Sequence, residues 1–284
     1  MRNGTGKSIS RTGIVMFLTA CMLLTTVAYS CIPHNIRVSD EVLAVRQYIR
    51  ENEHVIHGGG YLKTSAGNIV SVTNSYESLV NAYNYGNRVF EFDIRETLDG
   101  VLVCAHGDDE TFTNGIALPS DTDSRHFLDA LVYGEFHTMS LETLTEFMKE
   151  HQDVLVVTDV KDSNFETCRK IAERYPELRN RFIIQIYYPE EFDSIQALGF
   201  PNIVFTVYRT GQRNIWKIAD FAQNHELVAV TFPAAYFNSF RIRCAMACAG
   251  VPFMFFTVNE KDEMEKMLSR RFVLGVYTDC VLFG

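Results

Sequence analysis

Two acidic residues on one predicted strand are the first candidates for chemistry in this chain of 284 residues. Glu91 and Asp93 stand one residue apart within the apolar run Val89–Ile94, so in a strand they project from the same face. Adjacent carboxylates repel each other, and a cation that prefers oxygen ligands relieves that repulsion. The pair therefore predicts a metal site. The alternative is a half-buried strand that turns two acids to solvent.

Two histidines flank this acidic pair along the chain. His57 ends a short apolar step and is followed by three glycines, whose backbone can approach a ligand closely. Downstream, a turn at 98–100 and a short predicted strand at 101–105 lead to His106. Imidazole groups titrate near neutral pH, so two of them beside a metal site indicate acid–base chemistry.

The order of these residues resembles the glycerophosphodiester phosphodiesterase family, within the superfamily of phosphodiesterases related to phosphatidylinositol-specific phospholipase C. That family has a first His at the end of strand one, a Glu-x-Asp pair on strand two, a Thr-x-Asp-Gly turn and a second His after a short strand. Four further segments resemble its motifs in the same order: Thr73–Leu79, Thr158–Lys161, Phe256–Asn259 and Gly275–Asp279. The resemblance spans roughly residues 54–280.

One departure from the family pattern follows the first histidine. The family has an arginine there that helps to hold the phosphate, and this chain has Gly58. Both histidines and the acidic pair are retained, so the resemblance indicates a divergent branch. We expect phosphate binding to depend more on Lys161 than in relatives that keep the arginine.

The resemblance also implies a role for each site residue. The catalytic acid and base, in an order that the sequence leaves open, are His57 and His106. The oxygen ligands of a divalent cation, Ca²⁺ or Mg²⁺, are Glu91, Asp93 and Asp159. The substrate-binding residues are Lys161 and Asn259. Gln185 is a further candidate on other grounds, because its period-two spacing with Tyr187 predicts that both lie at the pocket wall. Two alternatives stay open: Lys161 forms an ion pair with Asp159 or Glu91, and Asn259 only fixes a loop.

The rest of the chain alternates predicted strands and helices, which is typical of a parallel sheet with right-handed crossovers. Strands are predicted at 54–57, 89–94, 154–159, 182–187, 202–207, 227–231, 252–257 and 274–278. Helices are predicted at 75–86, 140–151, 163–175, 189–198, 213–224, 239–249 and 260–269. The pattern and the family resemblance together predict a (β/α)₈ TIM barrel over residues 34–284, with the strand C-termini converging on one active-site mouth.

Two segments lie outside the strand–helix alternation. A helix predicted from Ser39 to Glu51 has an apolar face that we expect to close the bottom of the barrel. The polar stretch 107–139, which follows His106, is too long for an ordinary barrel loop and is expected to cover the substrate pocket. The alternative is a surface excursion without substrate contact.

The first 33 residues carry a membrane-targeting pattern. Arg2, Lys7 and Arg11 precede an uncharged apolar stretch from Thr12 to Pro33. We interpret residues 1–33 as a signal peptide or a retained membrane anchor, and the positive flank predicts a barrel on the extracytoplasmic side.

Composition narrows the possible partners. A formal net charge of −9 argues against nucleic acid as the main partner, and the cysteines at 244 and 248 lack the second pair that a zinc site requires. The leading hypothesis is metal-dependent hydrolysis of a glycerophosphodiester or related diester by His/His acid–base catalysis. Alternatives are phospholipase-type cleavage of a lipid headgroup and a non-catalytic barrel that binds phosphate or sugar at the cell envelope.

Overall fold

A computed structural model describes residues 37–107, 110–211 and 214–280. Eight parallel strands form the barrel, and in chain order they are β1 (His54–His57), β2 (Val89–Glu96), β3 (Leu155–Val160), β4 (Phe182–Ile186), β5 (Ile203–Thr206), β6 (Ala229–Pro233), β7 (Phe253–Phe256) and β8 (Val273–Thr278). Each strand pairs with the next, and β8 pairs with β1, which closes the sheet. The predicted (β/α)₈ barrel is confirmed.

The predicted helices surround the barrel in the predicted order, and one short helix, Ser124–Leu128, was not predicted. They are α1 (Asp40–Asn52), α2 (Tyr76–Asn84), α3 (Ser124–Leu128), α4 (Leu141–Glu150), α5 (Asn164–Arg174), α6 (Phe192–Ala197), α7 (Ile215–Asn224), α8 (Phe240–Ala249) and α9 (Lys261–Leu268). Several begin at a serine whose hydroxyl accepts a backbone N–H of the first turn, as Ser75 does for α2 and Ser140 for α4. Such caps explain why the helix starts were visible in the sequence.

The strands are buried on both faces, and successive side chains along each strand point alternately into the barrel and toward the helices. Phe90 and Phe92 of β2 point outward into the large apolar layer between sheet and helices. Val89 points inward, into a second cluster that fills the barrel and includes Val42, Val45 and Ile49 of α1. Because side chains alternate along a strand, Glu91 and Asp93 share the inward face with Val89. Helix α1 closes the bottom of the barrel, as predicted.

The segment after His106 is more ordered than a loop. The short strand Leu102–Cys104 pairs antiparallel with β2, and Met139–Ser140 pairs with it in turn. Between them the chain forms α3 and the small hairpin Leu131–Val132/Phe136–His137. Its apolar residues bury one another in a separate small core, with Phe127 fully covered. This core was not predicted, because its residues are scattered through a polar stretch.

Among the described residues, no helix combines the length and apolar character needed to cross a bilayer. The predicted targeting segment, residues 1–33, lies outside the described part of the chain.

Candidate active site

Three ligand-type side chains meet where β1 and β2 end at the barrel mouth. His57, Glu91 and Asp93 each place one nitrogen or oxygen atom within 4.8 Å of the others. Both carboxylates are buried, whereas the His57 side chain is 28% exposed. The Nε2 atom of His57 lies 3.4 Å from Oε2 of Glu91. The sequence-predicted face thus exists, and it presents a buried acidic pair beside an imidazole that solvent can reach.

The other side of the His57 ring is fixed by the end of β8. Nδ1 of His57 lies 3.1 Å from Oδ1 of Asp279. Asn259 holds Asp279 in place: its Nδ2 donates to Oδ2 of Asp279 at 2.8 Å, and its Oδ1 accepts the Asp279 backbone N–H at 2.9 Å. A carboxylate on one ring nitrogen orients the other nitrogen toward the site. These contacts give Asn259 a positioning role, and its predicted role in substrate binding stays a prediction.

The electrostatics of this cluster favour bound positive charge. Burial favours the neutral imidazole of His57, but the carboxylates of Glu91, Asp279 and Asp93 outweigh it and raise the His57 pKa to about 10. Burial raises the pKa of Glu91 to about 8, with His57 opposing this and Asp93 adding to it. A cation bound beside Glu91 would oppose this shift and favour the ionised carboxylate.

Asp159 and Lys161, at the end of β3, lie next to the cluster of His57, Glu91 and Asp93. Nζ of Lys161 lies 2.7 Å from Oδ1 of Asp93 and donates to Oδ2 of Asp159 at 2.8 Å. Oδ1 of Asp159 accepts from the hydroxyl of Tyr187 and from Nη2 of Arg209, the latter at 3.3 Å. Asp159 thus lies outside the cluster of His57, Glu91 and Asp93, and its predicted role as a ligand stays a prediction. The predicted Lys161–Asp159 ion pair is present.

The second histidine is tied to the acidic pair through two residues that sequence analysis gave no role. Glu110 accepts the backbone N–H of His106 at 3.0 Å and that of Gly107 at 2.6 Å. Nδ2 of Asn74 donates to Glu110 at 2.8 Å and to Asp93 at 2.9 Å. Burial raises the pKa of Glu110 to about 7, although hydrogen bonds from Gly107, His106 and Asn74 oppose the shift. The position of His106 is therefore coupled to that of Asp93.

A small cavity opens beside these groups. Its volume is about 50 Å³, and its walls include His57, Glu91, Asp159, Gln185 and Tyr208. The predicted position of Gln185 at the pocket wall agrees with the structure. Its Oε1 accepts the Thr206 hydroxyl at 2.6 Å, which fixes the side chain.

Gly58 has no room for a side chain. Its φ is +53°, and a Cβ atom built there would lie 2.6 Å from Cγ1 and 2.7 Å from Cα of Val72. Its backbone N–H donates to the carbonyl oxygen of Glu91 at 2.9 Å. The arginine of the family pattern is therefore excluded by packing. The mouth has a different arginine, Arg209, whose guanidinium lies 4.0 Å above the Tyr187 ring. No local sequence pattern marks Arg209 as a site residue, because it follows a different strand, β5.

Comparisons with known proteins agree with the fold. The model of the Glycerophosphoryl diester phosphodiesterase family matches residues 60–282. A glycerophosphoryl diester phosphodiesterase from Parabacteroides distasonis is similar in structure at 17% identity, with 87% of this chain and 90% of that chain covered and a TM-score of 0.62. One from Thermotoga maritima has 18% identity, coverage of 81% and 95%, and a TM-score of 0.58.

An Oleispira antarctica phosphodiesterase, solved in complex with the product sn-glycerol-3-phosphate, has 15% identity, coverage of 80% and 92%, and a TM-score of 0.60. At these identities the structural likeness shows the fold alone. No curated protein matches the chain significantly.

Proposed function

The chain belongs to the glycerophosphoryl diester phosphodiesterase family and is a phosphoric diester hydrolase, and on this premise we propose that it hydrolyses a glycerophosphodiester with a divalent cation and two histidines. The observation that carries the proposal is the meeting of His57, Glu91 and Asp93 at the barrel mouth. TIM-barrel enzymes place their reacting groups at this face. The product seen in the Oleispira antarctica relative supports a glycerol phosphate as one product.

The residues at the mouth fit a hard divalent cation. Glu91 and Asp93 are buried carboxylates on one strand face, and burial, with the Asp93 carboxylate adding to it, raises the pKa of Glu91. We infer that both bind Ca²⁺ or Mg²⁺, with Asp159 as a third oxygen ligand that releases Lys161 to the substrate. A cation bound there would neutralise charge on the phosphoryl oxygens.

The chain's own groups would carry out binding and proton transfer. Lys161 lies between Asp93 and Asp159 and can donate to a phosphoryl oxygen. His57, held by Asp279, and His106, held through its backbone by Glu110, would act as the acid–base pair. One of them accepts a proton from the attacking water, and the other protonates the leaving alcohol.

The test compares turnover in two single variants. With Mg²⁺ or Ca²⁺ present, the full-length protein should release glycerol phosphate from glycerophosphocholine, and His57→Ala or His106→Ala should lower kcat by roughly 10²–10⁴-fold. Inorganic phosphate should bind to the wild-type protein and to both variants with similar affinity. Full turnover by both variants would refute the two-histidine mechanism. A wild-type protein that binds phosphate but hydrolyses no diester would favour the non-catalytic barrel instead.

We also propose that residues 1–33 export the protein or anchor it, with the barrel on the extracytoplasmic side. The basic residues before an uncharged apolar stretch support this orientation. A protease added to spheroplasts, whose cytoplasmic membrane is still intact, should digest the barrel. Protection of the barrel until the spheroplasts are lysed would contradict the proposal.

A further inference from the structure

A second and larger cavity lies at the same end of the barrel as the candidate active site. It is a groove of about 690 Å³ between the segments that follow β5 and β6 and the first turns of α7 and α8. Apolar side chains form most of its walls, among them Ile215, Ile218, Phe232 and Ile242. This volume lies within the range of about 300–1,000 Å³ that is typical of small-molecule sites.

The groove adjoins the catalytic cavity. Tyr208 lines both cavities, and its hydroxyl donates to Oδ2 of Asp159 at 3.4 Å. The catalytic cavity, at about 50 Å³, has room for an ion or for one or two waters but not for a complete diester. A bound phosphodiester must therefore extend out of it, and the groove begins on the far side of Tyr208.

The residues that line the groove determine which kind of substrate group can bind there. Ile215 and Ile218 of α7 and Phe232 at the end of β6 offer no hydrogen bonds to the hydroxyls of a glycerol group. Among the described residues that line the groove, the one charged side chain is Arg241, and none is acidic. A hydrocarbon chain would gain from this surface, since each fully buried methylene tightens binding roughly fourfold.

We propose that the groove binds the hydrocarbon chain of a single-chain amphiphilic phosphodiester, such as a lysophospholipid, whose phosphate lies at His57 and Lys161. This inference rests on the proposed function and names its substrate class. The reaction is unchanged: water adds to phosphorus, the bond from phosphorus to the leaving alcohol breaks, and that alcohol takes a proton. The groove adds affinity for one of the two esterified alcohols.

The experiment measures how kcat/KM depends on chain length. Metal-loaded full-length protein is assayed on glycerophosphocholine and on hexanoyl, octanoyl, decanoyl and dodecanoyl lysophosphatidylcholine, all below their critical micelle concentrations, and the dodecanoyl ester is assayed again above its own. Because the groove is open on one side, we expect kcat/KM to rise by roughly two- to fourfold per added methylene until the groove is filled. The slope of log kcat/KM against chain length does not depend on the fraction of active enzyme.

A matched pair of variants locates the effect. Tyr236 lines the groove and is 51% exposed, so Tyr236→Asp brings a charge into it without disturbing the core. Tyr85, at the end of α2, is 50% exposed and is not among the groove's lining residues. Tyr236→Asp should flatten the slope at least threefold, whereas Tyr85→Asp should keep the wild-type slope and the wild-type activity on glycerophosphocholine.

Three results would overturn the inference. They are a flat wild-type slope with normal glycerophosphocholine hydrolysis, an unchanged slope in Tyr236→Asp, and a rate that rises only above the critical micelle concentration. The last would place lipid recognition at an aggregate surface. Failure to hydrolyse any diester would instead refute the proposed function, and the inference with it.

Discussion

Replacing Asp279 by asparagine should show how much activity depends on the orientation of His57, because the histidine itself is retained. The Asp279 carboxylate accepts from Nδ1 of His57 at 3.1 Å and from Nδ2 of Asn259 at 2.8 Å, so both of its oxygens are acceptors. An amide has one acceptor and one donor end. In one orientation of the new side chain, its NH₂ group faces Nδ2 of Asn259, so two hydrogen-bond donors oppose each other. In the other it donates to Nδ1 and shifts the imidazole proton to Nε2, which faces Glu91.

The size of the effect follows from these contacts. Loss of an oriented carboxylate behind a site histidine typically costs 10- to 100-fold, and we expect kcat of Asp279→Asn to fall by about that factor. The variant also removes one of the negative charges that raise the pKa of His57 to about 10. The limb of the pH profile that His57 controls should therefore move to lower pH.

The assay is the pH dependence of kcat and kcat/KM for glycerophosphocholine hydrolysis with saturating metal. Asp193→Asn, an exposed aspartate at the start of α6, is the matched control and should leave both unchanged. Asn259→Ala should act in the same direction as Asp279→Asn but more weakly, because it loosens Asp279 without removing it. A folded Asp279→Asn protein with wild-type kcat and an unshifted limb would refute the assigned role of Asp279.

Three further predictions concern charge at the mouth. Ca²⁺ or Mg²⁺ at about 100 times its Kd should raise the free energy of unfolding by about 2.7 kcal/mol, and Glu91→Gln combined with Asp93→Asn should abolish that gain; an equal gain in the double variant would place the cation elsewhere. Lys161→Gln should raise the inhibition constant of inorganic phosphate about 10- to 100-fold, the worth of a charged hydrogen bond, and unchanged inhibition would remove Lys161 from the phosphate site. Without metal, Glu91 and His57 should contribute less to folding stability as pH rises from 4.5, the ordinary pKa of Glu91, toward 10. Their folded-state pKa values, about 8 and about 10, both exceed the ordinary values, so the folded state binds these protons more tightly. Urea titrations in which stability rises over this range would contradict both shifts.

The sequence predicted those features that depend on local periodicity. Alternation along β2 was enough to place Glu91 and Asp93 together on the inward face, because side-chain direction in a strand is fixed by neighbouring residues. The start of α1 was visible for the same reason, since Ser39 caps its own first turn. The closed barrel followed from the regular alternation of strands and helices together with the family resemblance.

The residues that the sequence could not supply are those that depend on packing between distant segments. Glu110 lies in a polar stretch, and nothing near it in sequence shows that the buried backbone of His106 and Gly107 needs an acceptor. Arg209 reaches Asp159 from another strand, 50 residues away along the chain. Asn259 was assigned to substrate, but its partner Asp279 becomes apparent only when β7 and β8 lie side by side.

The contact between Gly58 and Val72 has a consequence for how this branch of the family can evolve. With the Val72 backbone 2.7 Å from the place where a Cβ would stand, an arginine cannot return to position 58 by a single substitution. The 70–74 segment would first have to move away, yet it also positions Asn74, which holds Asp93. A change that makes room at position 58 would therefore also disturb the acidic pair.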